Sequence, residues 1–197
     1  MDAARGILFD KGMAGASMNQ IAQAAELSVG TLYLYFENKE ELFAALQEEG
    51  LDILHGMIRK AQAKEGSVEG RLREIALAYL EFSEQYRKYF DIINYFLTSP
   101  DVEFPQNLKS EIDTRGNKIL SVVKKVFTDD ADTEDVDPDA AGKCALIMWG
   151  ALHGLLQMRK LQDTILRGED YRELYLDGCD SVIRSLIMEI KGGGKKK

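Results

Sequence analysis

The sequence predicts an all-α fold of about nine helices, the first three forming a compact head. Three observations carry this. Only three of the 197 residues are proline, while Ala, Leu, Glu, Lys and Ile are abundant, a composition that suits helices better than short strands. Apolar residues recur at three- and four-residue spacing along most of the chain. Between residues 17 and 41, helix-capping signatures follow one another closely.

Hydrophobic residues make up 45% and charged residues 29%, an ordinary globular mix long enough to bury its own core. Twenty-five Lys and Arg against thirty-three Asp and Glu leave a net charge of −8. That excludes a protein coated in basic surface, so any nucleic-acid site must be local. The two cysteines, Cys144 and Cys179, lie far apart in helix-like stretches and match no metal spacing. They read as buried thiols in a reducing compartment. No apolar run is long enough to span a bilayer and no signal peptide opens the chain, so a cytoplasmic protein with no membrane contact is expected.

The first helix covers Asp2 to Lys11 and stops at Gly12, a natural residue just past a helix end. It begins without a cap, from which a truncated N-terminus is expected. Ser17-Met18-Asn19-Gln20 reads as a capping box, the Ser17 hydroxyl closing the Gln20 amide. After Glu26-Leu27-Ser28, Ser28 caps a second short helix from Val29 to Phe36. Asn38 with Glu41 repeats the signature and opens a long helix whose stripe is Leu42, Phe43, Leu46, Leu54 and Ile58, ending near Gly66.

Val68 to Ser99 is helical and aromatic-rich, with a break near Arg87-Lys88. Ser99-Pro100-Asp101 is a loop signal, and the next helix runs from about Gln106 to Phe127. Six acids among the ten residues Thr128 to Asp137 make a solvated loop, lacking the register of a calcium loop. Asp137-Pro138 starts a helix to about Leu166. Asp170 starts the last one, with Leu174, Val182, Ile183, Leu186, Ile187 and Ile190 inward. The tail, 192–197, holds only Gly and Lys and is expected to be disordered.

The segment that carries function is 17–36, SMNQIAQAAELSVGTLYLYF. Two short helices joined by a tight turn, the second presented for contact, describe a helix-turn-helix. Gly30 leaves room for close backbone approach, and Ser28 and Thr31 place hydroxyls beside a helix N-terminus, where an anion is favoured. So short a helix cannot bury all of Leu32, Tyr33, Leu34, Tyr35 and Phe36. Some must face out.

Here the sequence resembles the TetR family of bacterial one-component transcriptional regulators. Gly-Thr-Leu-Tyr-x-Tyr-Phe and x-Lys-Glu-x-Leu-Phe are matched at Gly30 to Phe36 and Asn38 to Phe43, and the likeness covers about the first 47 residues. The resemblance implies a helix-turn-helix DNA-binding domain at 1–47 and a helical ligand-binding and dimerisation domain at 48–191. It makes Ser17, Ser28, Gly30, Tyr35 and Lys39 phosphate-positioning residues and Val29, Thr31 and Tyr33 base readers. Two features depart from the family. The position of Val29 is often basic there, and residues 1–47 carry three bases against six acids, so a basic stretch ahead of residue 1 is expected.

No enzyme is expected. The two histidines, His55 and His153, sit in no triad or metal spacing, no phosphate-cradling Gly loop is present, and neither cofactor nor metal is called for. The partners expected are double-stranded operator DNA, a small hydrophobic effector and a second copy of the chain. Tyr79, Phe82, Phe90 and Trp149, with Asn94, Asn117 and His153, are the candidate ligand pocket. Gly150, Gly154, Gly178, Ser181 and Ser185 are the small residues of a candidate four-helix homodimer interface. The rival reading is an acidic helical protein-interaction adaptor that does not bind DNA.

Overall fold

A computed structural model describes residues 2–98, 105–129, 136–166, 168 and 170–193. Among these residues it is all helical: α1 Asp2–Gly15, α2 Met18–Ala24, α3 Val29–Tyr33, α4 Lys39–Gln62, α5 Val68–Gln85, α6 Arg87–Thr98, α7 Gln106–Thr128, α8 Pro138–Gln157, a 3-10 turn Met158–Leu161, and α9 Tyr171–Gly193. The chain forms two compact units: Met1–Ile53 with Tyr86–Arg115, and Leu54–Gln85 with Gly116–Lys197.

In the first unit, α1 kinks at Gly12, whose φ of 67° is open to glycine without cost. Ile21, Ala22, Leu32, Leu42, Phe43 and Leu46 close one core with Ala4 of α1 and Ile92 of α6, and Phe36 packs against it half-buried. Gly50 lets α6 come close to α4, since a Cβ there would stand 3.0 Å from the Tyr89 side chain.

In the second unit, α5, α8 and α9 pack pairwise. Side chains tie them together: Tyr175 Oη donates to the Ala76 carbonyl at 3.0 Å, Tyr171 Oη to the Leu155 carbonyl at 2.9 Å, and Arg73 pairs with Asp180 at 3.0 Å. Cys144 and Cys179 are buried free thiols, and burial raises the pKa of both, that of Cys179 to about 11.

Several boundaries differ from expectation. The helix from Val29 ends at Tyr33, because the Tyr35 and Phe36 amides both turn back to the Leu32 carbonyl and tighten the chain. The helix from Pro138 ends at Gln157 rather than near Leu166. The Met158 amide is shared among the carbonyls of Gly154, Leu155 and Leu156, and the 3-10 turn follows. Leu174, expected inward, is 37% exposed, and Tyr171 and Tyr175 fill the interior instead. α9 continues through Gly193, so Gly192 and Gly193, expected in the tail, are helical. Residues 194–197, the Ser99-Pro100-Asp101 loop and most of the acidic stretch (130–135) lie outside the described residues.

Candidate nucleic-acid interface

Three caps shape the head. Ser17 Oγ accepts from the Gln20 amide at 3.3 Å, Ser28 Oγ from the Thr31 amide at 3.0 Å, and Asn38 Oδ1 from the Glu41 amide at 2.8 Å. Glu41 reaches back, its carboxylate accepting from the Glu37 amide at 2.6 Å, the reciprocal half of a capping box displaced by one residue. Between α2 and α3 the turn rests on Glu26, at a φ of 56°. The Leu27 amide bonds the Ala22 carbonyl at 2.9 Å and the Glu26 amide bonds that of Gln23 at 3.1 Å. This is a Schellman end with a glutamate where glycine is usual, a conformation that costs about 1 kcal/mol or more.

These bonds set the orientation of α3. Leu32 points inward, 5% exposed, while Tyr33, Leu34 and Tyr35 stand out at 50%, 84% and 71%. Val29 is exposed, and so are Ser17, Ser28 and Gly30. Thr31 is half-buried, its Oγ1 2.8 Å from Ser28 Oγ. Both hydroxyls and the Thr31 amide are thus already bonded to each other, which leaves less for an anion than the sequence suggested. Lys39 is half-buried at the start of α4. Behind α3 lies a cleft of about 380 Å³, walled by Ile21, Ala25, Leu32, Phe36 and Leu42 and bordered by Thr31 and Tyr35. Of the expected interface residues in and beside α3, Ser28, Val29, Gly30, Tyr33 and Tyr35 are exposed and Thr31 is half-buried, while Phe36 packs against the core.

Of the three bases in the first 47 residues, Arg5 is engaged internally. Its Nη2 lies 2.9 and 3.0 Å from the two carboxylate oxygens of Glu49, and its guanidinium stands over the Tyr89 ring at 5.3 Å. This triad joins α1, α4 and α6, and sequence reasoning missed it because its members are tens of residues apart. Arg115 is a second such tie, 2.9 Å from Glu48 and 3.4 Å from Asp52. Burial raises the Glu48 pKa, Arg115 opposes that shift, and Glu111 nearby adds to it.

The candidate ligand residues fall into two groups. Tyr79, Phe82, Asn117, Trp149 and His153 belong to the second unit, Phe90 and Asn94 to the first. Tyr79 and Phe82 have no exposed surface, Phe90 and Asn94 are buried, and Asn117 is exposed. Tyr79 Oη lies 3.0 Å from His153 Nδ1, and its ring meets that of Trp149 at 4.8 Å. Burial raises the Tyr79 pKa and lowers that of His153. Among the candidate interface residues, Gly150, Gly154, Ser181 and Ser185 are exposed, beside exposed Leu146, Ile147 and Met188. Gly178 is used within the chain: a Cβ there would stand 3.0 Å from both Leu155 methyls. Among the described residues, no three His, Cys, Asp or Glu side chains converge as a metal site, and no helix is long and apolar enough to cross a membrane.

Residues 1–46 match the family described as bacterial regulatory proteins, tetR family. The HTH-type transcriptional activator FasR of Mycolicibacterium smegmatis is 33% identical over 104 residues, which cover 51% of this chain and 47% of that protein. The chain thus spans less than half the length of the curated relatives it matches. Solved structures extend the likeness in fold. The transcriptional regulator FadR from Bacillus subtilis, in complex with stearoyl-CoA, superposes with a TM-score of 0.71 at 16% identity, over 94% of this chain and 95% of that one. AibR, in complex with isovaleryl coenzyme A and operator DNA, gives 0.66 at 19% identity, over 91% and 92%. Residues 1–46 thus carry a helix-turn-helix domain of the tetR family, on a chain whose overall fold is shared with these solved structures.

Proposed function

We propose that this protein is a one-component transcriptional repressor that binds a palindromic operator as a homodimer and is released by a small, largely apolar ligand. The observation that carries it is the outward face of α3. Val29, Gly30 and Tyr33 of α3, with Leu34 and Tyr35 just past its end, are exposed in a head whose three short-range caps start α2, α3 and α4. An adaptor has no need of that arrangement. Ser17, Ser28, Gly30, Tyr35 and Lys39 position the protein on phosphates, and Val29, Thr31 and Tyr33 read bases. In a dimer, the two recognition helices must sit about 34–36 Å apart to reach successive major grooves. The exposed small and apolar face of α8 and α9, with Gly150, Gly154, Ser181 and Ser185 among Leu146, Ile147 and Met188, supports a four-helix interface. The setting is the cytoplasm, where the operator is.

The effector reading is supported by the fold likeness to regulators solved with stearoyl-CoA and isovaleryl coenzyme A, and by the aromatic interior around Tyr79, Phe82 and Trp149. An acyl chain is the apolar part this favours. α4 continues unbroken from Lys39 to Gln62, so a pivot near Leu46 to Leu54 would carry a ligand's effect to the head, because a packed core resists gradual deformation. Linkage then makes the effect reciprocal, with ligand and operator weakening each other by the same factor.

The test is fluorescence anisotropy with promoter fragments, alongside sedimentation of the free protein. Saturable binding to one near-palindromic fragment by a dimer, weakened by an acyl-CoA, is the expected result. Equal binding to all fragments refutes the operator reading. A monomer at micromolar concentration refutes the dimer. A ligand that binds tightly yet leaves operator affinity unchanged refutes the sensor.

A further inference from the structure

Resting on the regulator reading above, we infer that the operator is recognised through the C5-methyl groups of pyrimidines in the major groove, which in unmodified DNA are those of thymine. α3 and its flanks lack the side chains that read bases through paired hydrogen bonds. Residues 28–36, SVGTLYLYF, contain no Arg, Lys, Asn, Gln, Asp or Glu. Guanine is read by Arg or Lys at O6 and N7, adenine by Asn or Gln at N6 and N7, and cytosine by a carboxylate at N4. None of those pairings can be made from this helix.

The polar atoms that remain are few. The Thr31 hydroxyl lies 2.8 Å from Ser28 Oγ, which also accepts from the Thr31 amide. A tyrosine hydroxyl presents one oxygen rather than the two-atom fork of a guanidinium or carboxamide that reads a base edge bidentately. What the face offers instead is apolar surface, with Val29 36% exposed, Tyr33 50% and Leu34 84%. Exposed apolar side chains on a reading helix and at its C-terminal flank favour an apolar partner. In the major groove of DNA that partner is the pyrimidine methyl. Gly30, with no side chain between Val29 and Thr31, allows the helix to come close enough for van der Waals contact. Phosphate contacts carry no sequence information, so an electrostatic grip cannot substitute for these contacts.

The experiment selects sites from a random-sequence duplex library with the full chain at fixed salt, then replaces each dT of the selected half-site by dU, which differs only by the methyl. Loss of a contacted methyl is expected to weaken binding about fourfold per position. Where a contacted dT is changed to dC, 5-methyl-dC at that position should recover part of the loss. Val29→Ala should abolish the dT-against-dU difference at one step of each half-site and leave the others. The dU comparison uses the unaltered protein, so it stands whether or not the variant folds. Selected sites that tolerate dU everywhere, or half-sites of G·C pairs alone, overturn the inference and leave the regulator reading intact. If no sequence is enriched at all, both fall together.

Discussion

Replacing Tyr79 by Phe takes a single oxygen atom out of the interior of the second unit. Tyr79 has no exposed surface, and its Oη lies 3.0 Å from His153 Nδ1. The ring stays where it is, still 4.8 Å from Trp149, so the perturbation falls on the polar contacts of the hydroxyl, the His153 hydrogen bond among them. A typical hydrogen bond contributes about 1 kcal/mol net, and leaving a buried polar partner unsatisfied raises the cost to about 1–3 kcal/mol. At His153 the expected loss is about 1–2 kcal/mol, because the imidazole is half-buried and water can reach part of it. In a chain of this size each kcal/mol lowers the melting temperature by about 2–4 °C. The assay is urea unfolding followed by circular dichroism at pH 7.5, for Tyr79→Phe, His153→Leu and the double variant. The two losses should be less than additive, with a coupling of about 1 kcal/mol. A Tyr79→Phe protein as stable as the parent, with losses that simply add, would refute the reasoning and show that the pair holds nothing together.

Other outcomes follow from the same geometry. Burial holds the His153 pKa below its ordinary 6.5, so below pH 6.5 the unfolded chain binds a proton that the folded chain refuses. Stability should therefore fall as pH drops from 6.5 toward the folded value, and His153→Gln should flatten the profile in that window. Glu26→Gly, which relieves a left-handed φ of 56°, should stabilise the head by about 1 kcal/mol in chemical denaturation. No gain would mean that the glutamate side chain compensates for its backbone. Gly178→Val drives a branched side chain into Leu155, whose methyls would stand 3.0 Å from a Cβ. A loss of about 1–3 kcal/mol is expected, partly relieved by Leu155→Ala. In DNA binding, Tyr33→Ala should reduce discrimination between operator and random duplex, whereas Lys39→Ala should weaken both alike and flatten the salt dependence. Equal losses for Tyr33→Ala would remove it from the base readers.

The helix starts were legible in the sequence at Ser17, Ser28, Asn38, Asp137 and Asp170, and each caps as its residue type suggests. A cap joins a side chain to an amide two or three residues away, so it depends on no distant neighbour. The stripe of α4 was legible for a similar reason, since Leu42, Phe43, Leu46, Leu54 and Ile58 repeat at the helical period and all are buried. Which way α3 faces was not legible. Residues 32–35, at its end and just beyond, alternate Leu and Tyr, and only packing against Ile21 and Leu42 decides that Leu32 goes in while Leu34 stays out. The same holds for the end of α8, for Tyr175 taking the inward place expected of Leu174, and for Gly178 facing Leu155. Arg5 with Glu49 are 44 positions apart, Tyr79 with His153 are 74, and Tyr175 with Ala76 are 99. Such partners are chosen by the path of the whole chain. Their energies come from desolvation and close contact among residues that have no local preference for one another, so only the tertiary structure could bring them together.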